Sequence, residues 1–196
     1  MLTPNKVANN QIVILDFEGF RHKKSGFILK EISVQSKYFS DTILVRPPTN
    51  FSELTNSEQK SHSWVSKYLH GLDWNSGDYP YYFIDTYFVL LLVRFPSAVF
   101  YAKGKEKCDK LSHLLNKPVH NLEDLNCPKI EELSARSDLS ACDFHSKRTP
   151  QRQRQRHCAN KKATLFLNWL ENNFNETVSS SSEFIAKFDN LQLHDC

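Results

Sequence analysis

The chain has 196 residues, of which 40% are hydrophobic and 24% charged, and its formal net charge is +3. That is enough chain and enough apolar material for one substantial domain, and it excludes a disordered or low-complexity protein. No apolar run approaches the roughly 20 residues of a membrane span; the longest, Tyr87 to Phe95, is interrupted by Arg94. The polar opening MLTPNKVANN lacks an apolar signal region, so an intracellular protein, cytoplasmic or nuclear, is expected. The five cysteines are then thiols or metal ligands rather than a disulfide framework.

Residues 1–10 read as a flexible lead-in. Gln11 to Phe20, QIVILDFEGF, is a β-branched apolar run closed by a Gly, the pattern of a buried first strand. A second strand is expected over Phe27–Val34 and a third over Tyr38–Val45, stopped by Pro47-Pro48. The short links between the three predict an antiparallel meander. Asn50–Leu69 carries helical spacing, with Ser52 as a candidate cap and Leu54, Trp64, Val65, Tyr68 and Leu69 as its apolar positions.

After a Gly- and Pro-containing loop, Phe83–Phe95 is apolar and long enough for a buried helix, ended by Pro96. Ala98–Ala102 predicts a fourth strand, Glu106–Leu115 a helix, Val119–Leu122 a fifth strand, and Ile130–Leu133 a short helix. Ser134–His157 is polar and irregular. Ala159–Phe174 is amphipathic and helical, and residues 175–196 read as a flexible tail, so the domain spans 11–174. The element order predicts an α/β fold: a mixed five-stranded sheet, three antiparallel strands then parallel ones, flanked by helices, in the RNase H-like order.

Period-two alternation puts Asp16 and Glu18 on one face of the first strand and Phe17 on the other. Two carboxylates at i and i+2 on a strand end can hold a divalent cation, or can simply be solvated acids. Residues 147–162 contain Lys147, Arg148, Arg152, Arg154, Arg156, Lys161 and Lys162 and no acid. Such a stretch is either a solvated loop or an electrostatic clamp on phosphates, binding without sequence specificity. Phe17, Phe20 and Tyr101 are candidates for stacking on bases or for core.

Asp16-x-Glu18 on the first strand resembles the first motif of the DEDDh 3′–5′ exonucleases, over roughly residues 11–172. The resemblance implies an RNase H-like fold, two Mg²⁺ ions held by four acids, and a His base, for which His157 fits. The later motifs depart from the family. Lys107 stands where the second-motif Asp is expected, and Lys162 stands five residues after His157, where the last Asp is expected. An ammonium cannot ligate Mg²⁺ as a carboxylate does.

The chain is also similar to the Maelstrom domain of the transposon-silencing pathway, a DEDDh-like fold carrying a zinc site in place of the nuclease acids. The matching residues are Glu31 on the second strand, the pair Cys142-x-x-His145, and Cys158 opening the last helix. The resemblance implies a structural Zn²⁺ on Glu31, Cys142, His145 and Cys158, a set whose thiolates and imidazole suit that ion. Cys127 is a competing ligand.

The expectation is a nucleic-acid-binding domain with a structural zinc and weak or absent exonuclease activity. Its partner would be RNA or DNA, single-stranded, with no membrane. The phosphate contacts would come from Arg148, Arg152, Arg154, Arg156, Lys161 and Lys162. The alternatives are an active Mg²⁺-dependent nuclease using Asp16, Glu18 and His157, and a protein-interaction scaffold.

Overall fold

A computed structural model of the chain describes residues 11–23, 26–135, 145 and 157–173. The expectations placed on residues 1–10 and 175–196, on Cys142, and on Arg148, Arg152, Arg154 and Arg156 lie outside the described residues.

Strands β1 (Ile12–His22), β2 (Gly26–Ser36) and β3 (Phe39–Leu44) form the expected antiparallel meander. Helices α1 (Asn56–Val65) and α2 (Phe83–Arg94) follow. Then come β4 (Val99–Ala102), α3 (Lys105–Leu115), β5 (Val119–Asn121), α4 (Ile130–Ala135) and a last helix, α5, over 159–173. β4 and β5 run parallel to β1, and the sheet order is β3-β2-β1-β4-β5. The chain is therefore an α/β protein with a mixed five-stranded sheet flanked by helices. Among the described residues no helix is long and apolar enough to cross a membrane.

The alternation along β1 sorts its side chains into two cores. Val13, Leu15 and Phe17 pack with Ile84, Phe88 and Leu91 of α2 and Leu111 and Leu115 of α3. Ile14 packs instead with Ala163, Phe166, Leu167 and Leu170 of α5 and with Leu122. Even-numbered positions of β1 as far as Glu18 thus face α5. β1 is covered on both sides, which is why its apolar run is nearly continuous. Asp16 shares a face with Ile14 and is 1% exposed.

The sheet breaks register once, between Glu18 and Gly19. A Cβ on Gly19 would lie 2.0 Å from the Ile28 carbonyl oxygen, so only glycine lets the two backbones approach this closely. Beyond the bulge a third cluster, Phe20, Ile28, Leu54 and Trp74, closes the end of the sheet.

Two details of the first helix differ from expectation. Thr55, not Ser52, caps α1: its hydroxyl accepts from the Glu58 amide while Glu58 returns to the Thr55 amide, a reciprocal box that fixes the helix start. The face of α1 turned to the protein is also polar. Glu58, His62 and His70 are buried, whereas Trp64 and Tyr68 are 54% and 46% exposed. α1 continues through a π-type turn, Ser66–His70, that ends at Gly71 in the left-handed region (φ 71°).

Candidate functional site

The end of β1 carries a four-membered charge cluster. Asp16 Oδ1 is 2.5 Å from Lys107 Nζ of α3, and Asp16 Oδ2 is 2.8 Å from Lys162 Nζ of α5. Lys162 also donates to Glu18 Oε1, and Lys107 to the Phe17 carbonyl at 2.6 Å. Two ammonium groups therefore face two carboxylates with no net charge. Burial pushes the Glu18 carboxyl up, but Lys162 and then Lys107 outweigh it and hold it below its ordinary 4.5. Burial opposes charge on Lys162 as well, yet Asp16 and Glu18 hold its ammonium above the ordinary lysine value. Lys107 goes the other way: burial lowers it, with Asp16 offsetting only part. Ammonium groups occupy the space around these carboxylates in which a divalent cation would sit, and they repel one.

One strand over lies a second group of different chemistry. Glu31 stands directly opposite Glu18 in the β1–β2 register and is fully buried. Ligand atoms of Glu31, His145 and Cys158 all lie within 4.8 Å of one another, and this buried trio can hold a metal ion. Glu31 Oε1 is 3.8 Å from His145 Nδ1 and 4.0 Å from Cys158 Sγ.

The surroundings orient each ligand. His145 Nε2 donates to the His70 carbonyl at 2.9 Å, so its Nδ1 lone pair points at the trio; metal-binding imidazoles are commonly held by such a backbone bond. Cys158 is the residue before α5 and its Sγ accepts from the Lys161 amide. Unpaired amides at a helix start favour the thiolate a metal needs. The Ala159 amide donates to Glu31 Oε2 at 2.9 Å, leaving Oε1 toward His145 and Cys158.

The two groups share their supports. Cys158 and Lys162 are one turn apart on α5, and the Lys162 amide donates to the Cys158 carbonyl. One face of α5 thus serves Glu31 through Cys158, and Asp16 and Glu18 through Lys162. His70, in the π turn, accepts the Leu72 amide on Nδ1 and bonds the Gly19 carbonyl through Nε2 at 3.1 Å. That fixes Nε2 as its protonated nitrogen. Burial lowers its pKa to about 4, against the pull of Glu18. His70 therefore ties the bulge after Glu18 to the carbonyl that orients His145.

Of the residues singled out by sequence, Asp16, Glu18, Glu31, His145, Cys158 and Lys162 converge on this corner. His157 lies at its rim, Nδ1 3.9 Å from Glu18 Oε1 and its side chain 37% exposed. Lys162 departs from its expected role as a phosphate contact, because it is buried and spent on the two carboxylates; Lys161 is half-buried at the start of α5. Cys127 packs in the α5-side core rather than with the trio, and Cys108 packs in the α2–α3 core. Phe17 and Phe20 are core residues as well.

Sequence reasoning missed His62 and His70. The signal was present as Glu58, His62, Ser66 and His70 at successive i+4 positions, a polar stripe along one helix face. A scan against protein-family models and a search of curated proteins returned no match to this chain.

Proposed function

We propose that this chain is a nucleic-acid-binding domain of RNase H-like type, descended from an exonuclease, in which the catalytic metals have given way to lysines and a structural zinc braces the fold. The observation that carries the reading is the pairing of Lys107 and Lys162 with Asp16 and Glu18. The lysines stand at the two positions where a DEDDh exonuclease has its remaining acids, and they reach the two acids that persist. The strand order β3-β2-β1-β4-β5, with those acids at the end of the central strand, supports the same ancestry. So does the similarity to the Maelstrom domain.

Zinc is the favoured ion for the trio because a thiolate, an imidazole and a carboxylate suit it, and Mg²⁺ takes oxygen ligands. Ligand atoms of a tetrahedral zinc stand about 3.3–3.8 Å apart, close to the 3.8 and 4.0 Å separations around Glu31 Oε1. Cys142 is the candidate fourth ligand by its Cys-x-x-His spacing. A site closed by four protein ligands leaves no position for water and serves structure.

A Mg²⁺-dependent nuclease needs two cations clamped between carboxylates, and the lysines argue against it. The nucleic-acid reading is supported by the acid-free basic stretch 147–162. The test is incubation of labelled single-stranded RNA and DNA with the purified protein in Mg²⁺ or Mn²⁺. Retarded, intact strands are expected; degradation abolished by Asp16→Ala would overturn the inactive reading, and absence of any retardation would overturn the binding one.

A further inference from the structure

The outer face of α1 exposes two aromatic side chains. Trp64 and Tyr68 lie one turn apart with ring centroids 5.6 Å apart, and both are about half exposed. Lys67 Nζ sits 5.0 Å from the Tyr68 ring centroid. Lys60, one turn before Trp64, is exposed on the same side. No acid shares this face: the only carboxylate of α1 and the π turn is Glu58, which is turned inward and bonded to Thr55. Beside it runs a groove of about 410 Å³ whose lining includes Ser63, Ser66, Lys67 and Trp74, with Asp73 its one acid.

Exposing a Trp and a Tyr costs hydrophobic free energy, while the inward face of the same helix is given to His62 and His70, which bond the Arg21 and Gly19 carbonyls. Two aromatic planes flanked by two ammonium groups match the chemistry of a single strand, whose bases stack and whose phosphates are negative. Its exposed residues, Lys60, Ser63, Trp64, Lys67 and Tyr68, are basic, aromatic or polar. The surface also lies next to the site, since the same helix ends in His70, bonded to Gly19.

We propose that Trp64 and Tyr68, with Lys60 and Lys67, form a stacking platform for a single-stranded nucleic acid, with Lys67 and the adjoining groove taking its backbone. This rests on the nucleic-acid reading above and gives it contact residues other than those of the basic stretch 147–162. Recognition is by stacking and charge, so it tolerates any base sequence.

The test measures binding of labelled oligouridylate and oligothymidylate to wild type, Trp64→Ala/Tyr68→Ala, Trp64→Phe and Lys60→Gln/Lys67→Gln. Each lost stacking partner weakens binding about fivefold or more, so the double alanine variant is expected to fall by at least about twentyfold. Trp64→Phe should restore most of the affinity lost at that position. The aromatic variant should keep the wild-type salt dependence, whereas the lysine variant should flatten it. Because Trp64 and Tyr68 are about half exposed, melting temperatures should fall only slightly and the variants should remain folded at the binding temperature, which separates binding from folding. Equal binding by wild type and the double alanine variant overturns the platform and leaves the nucleic-acid reading on the basic stretch. Failure of the wild type to bind either strand overturns both.

Discussion

Glu18 and Glu31 face each other across neighbouring strands, yet the chain treats them in opposite ways. Around Glu18 and Asp16 it places hard, hydrated cations, the ammonium groups of Lys107 and Lys162. Around Glu31 it places a thiol and an imidazole, with backbone groups aiming each. Both corners neutralise a buried carboxylate, because an unpaired one costs several kcal/mol. The first does so with covalently attached charge and leaves no room for a metal. The second surrounds its carboxylate with the Cys158 thiol, the His145 imidazole and the Ala159 amide, a donor set suited to an external ion. Neighbouring backbone positions thus acquire different chemistry from what the helices deliver to them.

The sharpest way to break this contrast is at Cys158. Cys158→Ser, or His145→Ala, should remove bound metal and lower the melting temperature more than any variant below, read by metal analysis and thermal unfolding. Chelation of the wild type should reproduce the loss. Full metal retention in both variants would remove the metal centre and leave two purely structural corners.

At the other corner, Lys162→Met should destabilise by about 3–5 kcal/mol in urea unfolding, since the buried Asp16 and the partly buried Glu18 lose their shared partner. Lys107→Asp/Lys162→Asp should in turn convert the cluster to four acids and create a Mn²⁺ site detectable by calorimetry, which the wild type lacks. If the wild type binds Mn²⁺ there equally well, the lysines do not block cations.

Acid should follow as an intermediate effect. Glu18 is held below 4.5 in the fold, so its contribution is present above that value and is lost as the pH falls through the depressed one. His70, at about 4 against 6.5, acts in the same direction: the unfolded chain takes its proton first, and stability falls between pH 6.5 and 4. Unfolding midpoints should therefore decline on acidification below neutrality. The decline below pH 4.5 should shrink in Lys162→Met, where Glu18 has lost its main stabilising charge; an unchanged profile would contradict the coupling. Smallest of all, Thr55→Ala should cost about 1 kcal/mol through the lost cap and leave metal content untouched, separating general stability from the metal corner.

Much of this was legible before folding. Alternation alone placed Asp16 and Glu18 together on β1, because side-chain direction in a strand is strictly local. The strand and helix order followed from apolar periodicity. What failed did so for physical reasons. Trp64 and Tyr68 are among the apolar positions of the expected helix, but burial depends on what a helix packs against. Here that surface is the Gly19 and Arg21 carbonyls at the end of β1, which need donors. His62 and His70 supply them.

By itself, then, the sequence determined which residues are acids, bases and soft ligands, and which of them share a strand face or a helix turn, because those relations depend only on backbone period. Only the tertiary structure decided their partners. It brought Lys162, 144 residues after Glu18, onto that carboxylate, and the start of α5, 128 residues after Glu31, onto the next strand. Ion pairs and metal sites act over a few ångströms between groups far apart in the chain, so their chemistry is written by packing.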